Sequence, residues 1–129
     1  MDLTTRKESF TTDKQSWLGS EHGTSSCRTI TLDTSAFTAG THYPDGYLRS
    51  GTPLGRITAT GIYGPYDNAA TNGAETLAGF LFVDVKPGSP TTVDVQGPLY
   101  EHGRVVEALL PIAVDAAGKA DVAGRIIFA

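Results

Sequence analysis

From residue 28 onward the chain alternates short apolar runs with glycine and proline, the punctuation of a β-rich protein. Thr29-Ile30-Thr31-Leu32-Asp33 alternates polar and apolar residues with a period of two, as a half-buried strand does. Tyr43-Pro44-Asp45-Gly46 sets proline second and glycine fourth in a type I turn, so the chain is expected to reverse there. Residues 54–60 are a second strand candidate, with Leu54, Ile57 and Ala59 as the less polar members. Residues 61–76 form a turn-rich stretch expected on the surface, where Asn72-Gly73 suits the left-handed conformations of a tight turn. The run 77–85 is apolar on both faces at Phe80, Leu81, Phe82 and Val83, which predicts a central strand. Within it Gly79 is expected to mark a bulge or a close backbone approach. Pro87-Gly88-Ser89-Pro90 then turns the chain, and residues 91–96 alternate with Val93 and Val95 on one face.

One helical signal interrupts this pattern. Val105, Val106, Leu109 and Leu110 share a stripe over residues 104–110, and Pro111 forbids extension, so at most two turns are predicted. Residues 112–114 and 125–128 read as strands, the latter closing on Ile126-Ile127-Phe128, a run that needs pairing or burial. These elements predict a mainly β domain over residues 29–129, a small β-barrel or β-tulip-like body with one short helix.

Residues 1–28 differ in kind. Ten are Ser or Thr, six between Asp2 and Lys14 are charged, and all seven prolines lie at or beyond Pro44. So polar a segment buries too little surface to offset a backbone ordering cost of roughly 1–2 kcal/mol per residue, which predicts an arm, flexible in the free protein. An inert disordered terminus reads the same composition equally well. Leu3, Phe10 and the Trp17-Leu18 pair favour the arm, because large apolar side chains in a polar tail are suited to anchor on a partner surface.

Composition narrows the function. A chain of 129 residues predicts one core. Ten basic residues against fourteen acidic, with a sequence pI near 5.2, lack the positive field that phosphate binding requires, so no direct nucleic-acid contact is expected. No apolar run approaches the roughly 20 residues that cross a bilayer, so no membrane partner is expected. The charges from Asp2 to Lys14 argue against a secretory signal and for a cytoplasmic location. Cys27 is the only cysteine, which excludes an intrachain disulfide and a cysteine zinc cage.

Catalytic chemistry finds little support. Ser25, Ser26 and His22 are near in sequence, but no G-x-S-x-G elbow presents a serine. Cys27 beside Arg28 reads as a structural thiol rather than an activated one. His22, His42 and His102 sit in separate turn-like contexts without zinc-ligand spacing. Glu101 and His102 are adjacent, and in an extended segment such neighbours point to opposite faces. Asp67, Asn72 and Glu75 offer oxygens around a glycine, but their spacing fits no EF-hand. No nucleotide-binding glycine motif is present. Neither a metal nor a cofactor is expected, nor an enzyme.

Several stretches resemble the lambda-type head decoration family of tailed phages, in the versions found in phages of actinobacterial hosts. They are Ile30-Thr31-Leu32-Asp33-Thr34-Ser35-Ala36-Phe37, the 46–55 run Gly-Tyr-Leu-Arg-Ser-Gly-Thr-Pro-Leu-Gly, and Gly61-Ile62-Tyr63-Gly64-Pro65-Tyr66-Asp67. The order of parts is similar too: a polar arm, a glycine-rich loop, the Ala78-Gly79-Phe80-Leu81 strand, a second hairpin and the Val-Val-Glu-Ala-Leu-Leu-Pro segment at 105–111. The resemblance implies a homotrimer on three-fold sites of the outer capsid surface, whose arms join the major capsid protein by strand addition and cement the expanded lattice against internal DNA pressure. Two other classes stay open: a small β-barrel enzyme or ligand-binding module with Glu101, His102 and residues 61–76 as its site, and another virion part such as a tail or fibre module.

Overall fold

The computed structural model describes residues 15–21 and 23–129. Among them the elements are β1 (Arg28–Leu32), α1 (Ala39–His42), β2 (Pro53–Arg56), β3 (Tyr63–Pro65), β4 (Leu77–Leu81), β5 (Val95–Tyr100), β6 (Gly103–Val105), α2 (Ala116–Asp121) and β7 (Ile126–Phe128), with 3₁₀ turns at Thr24–Ser26, Thr34–Ala36 and Glu107–Leu109. Strands β1 to β5 close into a barrel in the order β1-β3-β2-β4-β5. Closure comes from β1, which lies antiparallel to β5 from Arg28↔Leu99 to Leu32↔Val95 and meets β3 in parallel at Leu32↔Tyr63. The mainly β expectation therefore holds, and the closed order leaves no free edge in that sheet.

The period-two pattern explains where the apolar residues go. On the β4–β5 wall, Leu81 pairs with Leu99 and both face the barrel interior, which they fill with Ile30, Leu32, Leu48 and Leu54. Their neighbours Phe80 and Tyr100 point the other way, into a second core with Trp17, Val105, Val114 and Val122. One wall thus serves two hydrophobic cores, and β4 is apolar on both faces for that reason. Leu77 and Phe80 share the second core although they are three positions apart, an odd spacing that puts strand residues on opposite faces. The β2–β4 register shifts between Leu54 and Gly55, leaving Ala78 as an extra residue that resets the alternation. Gly79, next to this bulge, meets the carbonyl of Tyr100 so closely that a Cβ has no room, so it marks the close approach and Ala78 the bulge.

Other elements differ from the sequence pattern. The helix predicted over 104–110 is strand β6 followed by a single 3₁₀ turn, because Val105 is fully buried and pairs on both sides while Leu109 is left 52% exposed. Helix α2 instead follows Pro111, where the Asp115 carboxylate accepts from the N–H of Gly118 at 2.9 Å. Its sequence carries no apolar stripe, and only Gly118 in it is buried, packed on Tyr66 and Val114. Residues 112–114 are not a strand; Val114 enters the second core from irregular backbone that follows a bend at Pro111 and Ile112. The strand predicted over 91–96 begins only at Val95, and Val93 is 48% exposed in the preceding turn. Residues 61–76 are not wholly surface: Tyr63 and Gly64 are buried in β3, a stave of the barrel, and Ala74 is buried beneath Gly55. The turn at 43–46 is as expected, with the Gly46 N–H donating to Tyr43 O at 3.0 Å.

Candidate functional site

The segment before β1 is where sequence and structure part most sharply. Residues 15–21 and 23–28 belong to the body rather than to a free arm. Trp17 is 1% exposed, with its ring edge-on to Tyr100 at 5.4 Å and tilted against Phe80 at 5.9 Å. Leu18 forms an antiparallel bridge with Val105, the Val106 N–H donates to Trp17 O at 2.6 Å, and the Gly19 N–H donates to Arg104 O at 2.8 Å. A one-bridge extended segment, β6 and β7 therefore lie side by side, with β6 and β7 parallel from Gly103↔Ile126 to Val105↔Phe128. Polar neighbours dilute one large apolar residue in this segment's composition, and a single tryptophan with a matching pocket outweighs it.

The pocket for Trp17 is built by the Arg49-Ser50-Gly51-Thr52 turn. Trp17 Nε1 donates to Ser50 Oγ at 3.1 Å, Ser50 Oγ donates to Phe82 O at 2.7 Å, and the Ser50 N–H donates to Asp84 Oδ1 at 2.7 Å. Gly51 has a φ of 92°, and a Cβ there would lie 2.8 Å from the indole ring, so both its backbone and the space require glycine. Gln15 closes this end by donating from Nε2 to Phe82 O at 2.6 Å.

Beside this root lies a cavity of about 240 Å³, lined by Ser16, Asp45, Tyr47, Arg49, Leu109 and Pro111 among others. Arg49 Nη2 donates to Thr41 O at 3.2 Å, whereas its Nε is buried without an acceptor. Nothing in the sequence marked these residues as a group, because they come from three separate turns.

The other residues singled out in the sequence do not converge. Glu101 receives Arg28 through Nε at 2.9 Å and Nη2 at 3.1 Å, which occupies its carboxylate, and His102 is exposed beside it. His42 Nδ1 accepts from the Thr38 N–H at 2.8 Å, and burial lowers its pKa. Burial also raises the pKa of Cys27, helped by the charge of Glu101, which keeps the thiol protonated at neutral pH. Asp67, Asn72 and Glu75 each accept from a backbone N–H two residues away, the geometry of local turns. Among the described residues no group of three metal-ligating side chains comes together. Leu3, Phe10 and His22 lie outside the described residues.

These features define a small β-barrel protein whose barrel interior is filled by its own side chains and whose Trp17 segment is fastened into a second core. A family model, the bacteriophage lambda head decoration protein D, matches residues 12–125, and the chain belongs to that family. Membership makes it a structural protein of the phage head, associated with the capsid of the virion. A comparison with curated protein sequences gives no match.

Proposed function

We propose that the protein binds as a homotrimer at three-fold sites on the outside of the expanded head and cements the major capsid protein lattice against the pressure of packaged DNA. Residues 1–14 act as the arm of each protomer, pairing their backbone with an exposed sheet edge of a neighbouring shell subunit, with Leu3 and Phe10 as apolar anchors. The observation that carries this reading is the burial of Trp17 at the arm's root. A tether that resists separation of shell subunits must be fixed at its own base, and losing a buried tryptophan costs roughly 3–5 kcal/mol. Trp17 and Leu18, first expected to touch the partner, serve this anchoring role instead.

Three arms on one trimer act together. A contact of about 4–8 kcal/mol per arm dissociates readily alone, but avidity strengthens the whole by roughly 100-fold to 10,000-fold. The acidic balance of the chain suits an outer position, where no DNA is touched. The test is removal of residues 1–14 with Trp17 retained, followed by sedimentation with purified expanded shells. Loss of binding by a folded trimer is expected, and undiminished binding would refute the arm.

A further inference from the structure

We propose that two patches flanking the ends of β5 hold copies of this chain head to tail: Val93 and Asp94 of one copy seat on Ile127 and Arg104 of the next. This rests on the homotrimer of the reading above and says which surfaces join its protomers.

The first patch stands on a loop that is held firmly. Residues 87–94 precede β5, and the fully buried Thr34 donates from Oγ1 to Val93 O at 2.8 Å and accepts from the Gly88 N–H at 3.2 Å. A backbone fixed in this way loses little freedom on binding, so the side chains it presents are preorganised. One is apolar and one acidic. Val93 is 48% exposed, and Asp94, exposed beside it, forms no ion pair among the described residues.

The second patch lies past the other end of β5. Arg104 and Ile127 are paired in the β6–β7 register, so their side chains stand side by side on one face of that sheet, where Ile127 is 57% exposed. A groove of about 360 Å³ adjoins them and is lined also by Ser20, Gly124 and Arg125. Arg125 donates through Nη1 to the carbonyls of Ala78 and Glu101, and neither arginine pairs with a carboxylate among the described residues. The groove is thus cationic in a chain whose net charge is −4.

Three large apolar side chains stand exposed among the described residues, and two of them adjoin unpaired charges of opposite sign. Complementarity between two different surfaces of one chain is what a head-to-tail contact requires, and a rotation that closes it yields a ring. The six residues of β5 hold the two patches apart by a strand of roughly 17 Å, so each is left for another copy.

The test is the oligomeric state of the full chain, measured by analytical ultracentrifugation over a concentration series. Asp94→Arg and Arg104→Asp, both at exposed positions, are each expected to raise the dissociation constant of the assembly by about 10-fold to 100-fold with the circular dichroism spectrum unchanged. Joined in one chain they again oppose unlike charges, and most of the loss should be recovered. Single variants that assemble as the parent does overturn the proposal, as does a double variant no better than the singles. A parent that stays monomeric overturns the homotrimer along with it, whereas a trimeric parent with indifferent variants leaves the homotrimer standing. As a second measurement, a benzophenone side chain replaces Ile127 and is photolysed in the assembly. A crosslink to residues 87–94 of another copy supports the contact; a crosslink to any other segment, or none, overturns it.

Discussion

Trp17 and Phe82 are joined through one hydroxyl: the indole Nε1 donates to Ser50 Oγ at 3.1 Å, and Ser50 Oγ donates to the Phe82 carbonyl at 2.7 Å. The relay lets an indole enter an apolar core without stranding its N–H, and it ties the chain start to the end of the central strand. Trp17→Ala is expected to cost roughly 3–5 kcal/mol in denaturant unfolding. Ser50→Ala leaves the ring in place but its N–H unpaired, for a loss of roughly 1–3 kcal/mol. The double variant should lose less than the sum, because both changes break the same bond.

Truncation should separate arm from body. Removing residues 1–14, the proposed arm, is expected to leave the melting temperature within about 2 °C of the parent, since changes that leave both cores intact stay near 0.5 kcal/mol. Removing residues 1–19 takes away Trp17 and the Leu18–Val105 bridge and should lower it by 10 °C or more, on the order of 3 kcal/mol at about 4 °C each. Thermal scans of the two truncations decide it, and equal melting temperatures would contradict the buried root.

Two glycines give opposite outcomes. Gly79→Ala forces a methyl group against the Tyr100 carbonyl inside the barrel wall and should destabilise by roughly 1–3 kcal/mol. Gly40 in α1 has nothing near its missing Cβ, so Gly40→Ala should be neutral or stabilising by about 0.5–1 kcal/mol. Equilibrium unfolding of both variants checks the pair.

Helix α2 is docked by an acid-sensitive contact. Tyr66 Oη donates to Asp115 Oδ1 at 2.6 Å, and this bond, then the Gly118 N–H, holds the Asp115 carboxyl below the ordinary aspartate value of about 3.9. A carboxyl depressed in the folded state adds stability that is present above its unfolded pKa and is lost as pH falls through the lower folded value. Stability should therefore drop on acidification below about pH 4, and Tyr66→Phe should make the drop shallower. Burial and the Asp115 bond raise the Tyr66 pKa, so its contribution persists at neutral pH and is lost only as pH rises beyond about 10. Urea unfolding from pH 2 to pH 7 for both proteins measures the acid limb.

Much of the barrel was legible in the sequence, and for identifiable reasons. The alternation at Ile30 and Leu32 located β1, the two-faced run at Phe80 and Leu81 located the shared wall, and Gly79 announced its own irregularity. The signal failed where tertiary partners overrode local pattern. Val105, Val106, Leu109 and Leu110 have helical spacing, yet Leu18 and β7 claim Val105 for a strand. Helix α2 carries no apolar stripe because it rests on Tyr66 and Val114 through a glycine. Trp17 looked like tail because its pocket is made more than thirty residues later, at Ser50 and Gly51. The cavity beside Trp17 was invisible for the same reason: Ser16, Arg49 and Leu109 share no local motif.

The Trp17–Gly19 segment and β7 flank the same short strand, one bridged at Val105 from each side. The Trp17 indole therefore has no complete niche until Ile126 to Phe128 have left the ribosome. Both segments must be made before the second core can shut, and long-separated pairings of this sort slow folding. Any bulky fusion that hinders Ile126 to Phe128 would be felt at the opposite terminus, in how firmly the arm's base is held.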